Sequence, residues 1–145
     1  MRLWWERNDL GYSSEGRLQL GGRDLASLAE AGTTPAFLYS LPRATANLQA
    51  VHAALDSAGI TRHRIFYAMK ANRFMPLLTA FAQSGLCGID VCSPEEMLHA
   101  LACGFSESDI SYTGTSISEA DLDIICRHPG ILINCDSQST IRRLA

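Results

Sequence analysis

Lysine is almost missing from this chain. Of 145 residues, 12 are basic; 11 of those are arginine, and Lys70 is the only lysine. Arginine keeps its proton in proteins, whereas a lysine can lose it and become a nucleophilic amine. Other devices are absent too. The five cysteines, at 87, 92, 103, 126 and 135, form no C-x-x-C pair, and His52, His63, His99 and His128 do not fall at metal-ligand spacings. That argues against a zinc module or a disulfide framework and fits small buried thiols in a reducing compartment. No apolar run approaches the roughly 18 residues of a membrane span. Behind Met1-Arg2-Leu3-Trp4-Trp5-Glu6 there is no apolar stretch of the signal-peptide kind. A net charge of −3 speaks against a broad nucleic-acid face. With 47% hydrophobic and 19% charged residues the chain is globular, and the expectation is a soluble cytoplasmic domain with neither nucleic-acid nor membrane partners.

What is present is a period. Four β-branched or aromatic runs, Arg64–Lys70, Gly88–Cys92, Ile110–Gly114 and Ile131–Asp136, have centres about 23, 22 and 21 residues apart. A strand, a short loop and a three-turn helix need about that many residues. The segments between them carry apolar residues at helical spacing: Pro76–Ser84, Pro94–Cys103 and Glu119–Arg127, with Arg43–Ala58 upstream. Strands alternating with helices make parallel βα units, and mostly apolar strands fit a sheet covered on both faces. No G-x-G-x-x-G follows the first run, so the dinucleotide fingerprint is missing. A complete eight-stranded barrel needs about 250 residues, so four units amount to about half of one. Residues 1–33 read differently: Arg17–Leu20 with Gly21-Gly22 as a short strand and turn, then a short helix over Asp24–Ala31 capped by Asp24. Thr34–Tyr39 reads as a further strand that opens the second segment, 34–145.

In parallel α/β folds the chemistry lies at the C-terminal ends of the strands. That rule selects Lys70-Ala71-Asn72, Asp90–Ser93, Thr113–Ser116 and Asn134–Ser137. An ammonium held among apolar strand residues loses hydration, which favours the amine and would let Lys70 form a Schiff base; the alternative is a rim lysine reaching solvent. Ser93-Pro94-Glu95-Glu96 reads as a helix start with Ser93 as N-cap and Glu96 closing a capping box, and Ser118 with Asp121 as a second box. Asp90 has either a site role or a loop-ordering hydrogen bond. Thr113-Gly114 makes a turn or admits a ligand to the backbone, Asp136 caps the last helix, and Trp4 and Trp5 serve packing or an interface.

These residues resemble a known family. Tyr67-Ala68-Met69-Lys70-Ala71-Asn72 is similar to the cofactor-lysine motif of the fold-type III pyridoxal-phosphate amino-acid decarboxylases, the diaminopimelate, ornithine and arginine decarboxylases, with alanine racemase as a distant relative. Asp90–Glu96, Ala102–Phe105, Ile110 with Thr113-Gly114, and Asn134–Ser137 continue the likeness in order. Thr34–Tyr39 and Asn47-Leu48 resemble the family's entry into its barrel, and Gly16–Asp24 favours the diaminopimelate type. The resemblance implies an α/β fold, a partial (β/α)8 TIM barrel of the alanine racemase-like type, whose N-terminal segment joins a C-terminal β domain in full-length relatives. It implies pyridoxal 5′-phosphate as cofactor, held by Lys70 as an internal aldimine, and decarboxylation of a basic or diamino amino acid. Ala68 would line the cofactor pocket, Asp90 would lie near the Lys70 amine or the cofactor, and Asn72 and Ser93 would order the rim. A homodimer of the full-length form is implied as well. One departure stands out: many diaminopimelate-type members carry a lysine just after the segment matching Thr113-Gly114, where this chain has Ile117.

In the family, the histidine that stacks on the ring, the glycine-rich phosphate loop and the acidic partner of the pyridine nitrogen all come later than the match to Ala145. The expectation is therefore an incomplete N-terminal fragment, inactive alone. Two alternatives remain: a short homologue that regulates a full-length decarboxylase by dimerising with it through uncovered strand edges and an apolar interior, and a racemase of the same fold. Racemases usually show Tyr-Gly soon after the lysine motif, whereas Arg73-Phe74 follows here. Genomic sequence is expected to continue the reading frame past Ala145; a stop codon there, with co-purification of a longer homologue, would favour the regulator.

Overall fold

The computed structural model describes residues 3–32 and 34–145. It contains two compact units, Met1–Asn47 and Leu48–Ala145.

In the first unit β1 (Leu10–Tyr12), β2 (Leu18–Leu20) and β3 (Arg23–Asp24) form an antiparallel sheet in that order. Gly21 and Gly22 turn the chain between β2 and β3 with φ of 57° and 77°, a region glycine enters without a Cβ clash. Helix α1 (Leu25–Glu30) starts at Asp24, whose carboxylate accepts the Ala26 N–H at 3.0 Å. The Arg17 guanidinium, and after it that N–H, hold the Asp24 carboxyl below the usual carboxylate range. Trp5 packs edge-on against Tyr12, 5.8 Å between centroids, while Trp4 is 95% exposed.

The strand expected over Thr34–Tyr39 does not form. Its residues have the right β propensity, but no neighbouring strand pairs with them among the described residues, and Phe37 is 89% exposed. Propensity without a ladder partner leaves extended chain. Helix α2 (Leu41–Ser57) follows.

The second unit repeats the βα pattern: β4 (Phe66–Ala68), α3 (Met75–Ser84), β5 (Gly88–Val91), α4 (Pro94–Ala102), β6 (Ile110–Tyr112), α5 (Glu119–Ile125), β7 (Leu132–Ile133) and α6 (Gln138–Leu144). The strands pair in parallel in the order β4-β5-β6-β7. Ala68 lies opposite Asp90, Asp90 opposite Ser111, and Tyr112 opposite Ile133.

Alternation then sorts the side chains, because successive residues of a strand face opposite sides. Met69, Ile89, Val91, Ile110 and Tyr112 fall on one side and are buried. Leu77, Leu78 and Phe81 of α3, Met97 and Ala100 of α4, and Leu122 and Ile125 of α5 are buried too and complete this core. The Tyr67 and Phe81 rings meet at 4.9 Å. The other side carries Phe66, Ala68, Asp90, Ser111, Thr113, Leu132 and Asn134. Small and polar residues prevail there, but Phe66, opposite Gly88, and Leu132, opposite Ser111 and 55% exposed, keep apolar side chains on that face.

The sequence-read caps also divide. Ser118 and Asp121 form a reciprocal capping box, and the two hydrogen bonds from Ser118, its backbone N–H first, hold Asp121 low. Ser93 accepts the Glu96 N–H at 3.2 Å, but Glu96 reaches back to the Cys92 N–H at 2.9 Å, so that box is not closed. The cap of α6 is Ser137, which accepts the Thr140 N–H, and not Asp136.

Gly88 sets how closely the strands meet. A Cβ there would stand 2.5 Å from the Asp109 carbonyl oxygen and 2.7 Å from the Phe66 ring. Gly88→Ala is expected to destabilise the protein by about 1–3 kcal/mol through overpacking, against about 1 kcal/mol for Ser93→Ala through the lost cap. Urea unfolding midpoints measure both, and equal midpoints for Gly88→Ala and wild type would contradict the packing account.

Candidate active site

The strand ends place the sequence-selected residues on one rim. β4 stops at Ala68 and the backbone tightens into a 3-10 turn over Met69–Ala71, with Met69 buried and Lys70 exposed. The expectation that apolar strand residues enclose Lys70 is corrected: the chain has left the strand one residue earlier. Asn72 follows, and its Oδ1 accepts the Phe74 N–H at 2.9 Å, which shapes the entry into α3. Ala68 sits opposite Asp90 on the polar row, where its methyl leaves space. Ser93 begins α4, its oxygen accepting from Glu96.

Asp90 is the centre of a hydrogen-bonded chain across three strands. Its Oδ1 accepts from Ser111 Oγ at 3.1 Å and from Thr113 Oγ1 at 2.6 Å. Asn134, just past β7, donates from Nδ2 to the same two hydroxyls, each at 2.8 Å. The ladder extends with these residues: the Thr113 N–H donates to the Val91 carbonyl and the Asn134 N–H to the Tyr112 carbonyl. Ser111 is 5% exposed, so its hydroxyl needs these partners. Sequence reasoning placed Asn134 and Thr113 on the rim but did not join them to Asp90 and passed over Ser111. Separations of 21 to 23 residues hide such a contact; the repeat length, which returns equivalent positions to neighbouring strands, was the one available signal.

Gly114 serves packing. A Cβ there would lie 2.5 Å from the Tyr112 ring, so the glycine lets the loop pass over that buried side chain. Ile117 points inward, 5% exposed, and its carbonyl accepts from Arg143 Nη1 at 2.7 Å. An apolar side chain fits there and a charged one would be desolvated. A cavity of about 440 Å³ lined by Met69, Arg73, Ser93, Glu95, Glu96 and His99 adjoins the lysine turn. Among the described residues no group of three or more His, Cys, Asp or Glu side chains could hold a metal ion.

The rim thus carries an exposed amine on the turn leaving β4 and, on the neighbouring strand ends, hydroxyl, amide and carboxylate groups, the chemistry that suits a polar carbonyl compound. Residues 44–145 match the family model for the pyridoxal binding domain of pyridoxal-dependent decarboxylases. The chain belongs to that family. It is 33% identical over 137 residues to the diaminopimelate decarboxylase of Methanothermobacter thermautotrophicus, covering 94% of this chain and 31% of that protein. To the Vibrio cholerae diaminopimelate decarboxylase it is 32% identical over 133 residues, 92% of this chain and 31% of the relative. Lysine decarboxylase from Selenomonas ruminantium superposes with a TM-score of 0.70 at 26% identity, over 89% of this chain and 33% of that one. The diaminopimelate decarboxylase of M. jannaschii, solved in co-complex with L-lysine, shares the fold with a TM-score of 0.82 at 24% identity, over 94% of this chain and 32% of that one. The second unit is accordingly part of an α/β barrel, and the chain spans about a third of the length of these relatives. No described helix is long and apolar enough to cross a membrane.

The thiols differ sharply around this site. Burial pushes Cys87 up to about 11 and raises Cys103 as well, while Cys92, Cys126 and Cys135 are exposed. A thiol reagent at neutral pH is expected to modify Cys92, Cys126 and Cys135 in the folded protein and the other two only after unfolding, as read by peptide mass. Early labelling of Cys87 would contradict its burial.

Proposed function

We propose that this chain forms the lysine-bearing third of a pyridoxal-phosphate-dependent amino-acid decarboxylase acting on a basic or diamino acid, with a diaminopimelate-like substrate favoured. The observation that carries the reading is the place of the only lysine. Lys70 stands on the turn leaving β4, at the C-terminal rim, next to the strand whose Asp90 anchors a polar row. The matched family supplies the cofactor class, and the named relatives supply the substrate class.

The residues present fit the group. Pyridoxal phosphate carries an aldehyde, and Lys70 offers a solvent-reachable primary amine to take it. When bound, the cofactor supplies an electron sink for the pair left on the α-carbon as carbon dioxide departs. Lys70 would hold that group through its Nζ, the one primary amine of a side chain here, and the same nitrogen would carry a proton to or from the site. Ala68 leaves room on the inner row. Asp90 puts a carboxylate on the strand next to the one that leads to Lys70, and Asn72 and Ser93, each engaged with backbone N–H groups, keep the two rim loops in place. In the complete form, a homodimer completes the site.

The test uses the complete polypeptide that carries this chain, incubated with pyridoxal phosphate and then with diaminopimelate, lysine, ornithine or arginine. Carbon dioxide release is expected, fastest with diaminopimelate, and Lys70→Ala is expected to fall to the buffer background and to lose the mass of cofactor trapped with borohydride. Retention of both by Lys70→Ala would overturn the assignment. Chiral inversion without carbon dioxide would favour a racemase.

A further inference from the structure

The hydrogen bonds around Asp90 carry a direction, and the direction bears on what Asn134, Thr113 and Ser111 do. Asn134 Nδ2 has two hydrogens, and both are committed, one to Ser111 Oγ and one to Thr113 Oγ1. Each hydroxyl has a single hydrogen. Having accepted from the amide, each spends its hydrogen on Asp90 Oδ1. All four bonds therefore run one way, from β7 through β6 to β5, and end on one carboxylate oxygen. Turning the Asn134 amide over would present its carbonyl to both hydroxyls, draw their hydrogens away from Asp90 and strip Oδ1 of its donors. Among the described residues Oδ2 of Asp90 has no hydrogen-bond partner.

We propose that Asn134, acting through Thr113 and Ser111, is a positioning residue that fixes the Asp90 carboxylate in one orientation and leaves Oδ2 as the oxygen available to the Lys70 amine. The inference rests on the reading of Lys70 given above. Its geometric basis is the hydrogen-bond chain itself, together with the register that sets Ala68 opposite Asp90, so that the turn carrying Lys70 leaves β4 alongside the Asp90 end of β5. A carboxylate with free torsion would divide its time among rotamers. One held by two charge-assisted hydrogen bonds on a single oxygen does not. The burial of Ser111 makes the arrangement costly to disturb, since its hydroxyl has no water to turn to. Thr113 and Asn134 are exposed, and their side chains are still spent on the chain, which marks the contacts as more than core satisfaction.

The experiment compares wild type, Asn134→Ala, Thr113→Val, Thr113→Ser, Asp90→Ala and the Asn134→Ala/Asp90→Ala double variant in the complete polypeptide. The first readout is the rate at which pyridoxal phosphate becomes covalently attached, trapped with borohydride and read by mass. Asn134→Ala and Thr113→Val are expected to slow attachment about tenfold, with Thr113→Ser close to wild type because it keeps the hydroxyl. The double variant is expected to match Asp90→Ala alone, since Asn134 has nothing left to act through. The second readout is a crystal structure of Asn134→Ala, in which Asp90 is expected in more than one conformer. Additive losses in the double variant, or an unmoved single Asp90 conformer together with unchanged attachment, would overturn the inference while leaving Lys70 in place. Attachment that persists in Lys70→Ala would overturn the functional reading and this inference with it. Thr113→Val serves as the check should Asn134→Ala fail to fold, because it keeps the shape of the side chain and removes only the hydroxyl that donates to Asp90 Oδ1.

Discussion

The parallel register of β4 to β7 is the constraint on which the rest of the second unit depends. Once Ala68, Asp90 and Ser111 lie side by side, alternation determines everything on either side of them. Met69, Ile89, Val91, Ile110 and Tyr112 go to the helices, and the hydrogen-bonded polar groups, with Phe66 and Leu132 among them, go to the opposite face. Gly88 keeps that register tight by allowing the Asp109 carbonyl and the Phe66 ring to approach where any Cβ would stand. Stability and chemistry are therefore written on the same few strands in opposite phases. Burial of the apolar phase at about 25 cal/mol for each Å² supplies the energy that holds the polar phase in position.

Much of this was legible in the residues, for reasons that can be named. The strands β4 to β7 were visible because β-branched runs recur at a nearly constant interval, and the helices because apolar residues between them follow a 3.6 period. The Ser118–Asp121 box and the Asp24 cap were visible because capping is local: donor and acceptor lie within three residues. Lys70 could be placed on a rim because rims follow from strand ends.

What stayed hidden was whatever depended on a partner far along the chain. Thr34–Tyr39 has strand composition, but among the described residues no strand pairs with it. The Glu96 carboxylate accepts from the Cys92 N–H, one residue before the N-cap that the spacing suggested. The Asp90 chain needed three strands in register before Ser111, Thr113 and Asn134 could meet one carboxylate. Gly114 read as a turn residue until the Tyr112 ring beneath it was seen. In each case composition limited the options and tertiary neighbours chose among them.

One ε-amine on the whole chain has a practical consequence. Any reagent or modifying enzyme that targets lysine side chains has a single address here, on an exposed turn. A mass increment carried by a lysine of this segment identifies its site without fragmentation, and acylation of that nitrogen removes a positive charge from the rim in one event. An arginine-rich surface of this kind keeps its charge through such treatment while the one amine reports alone.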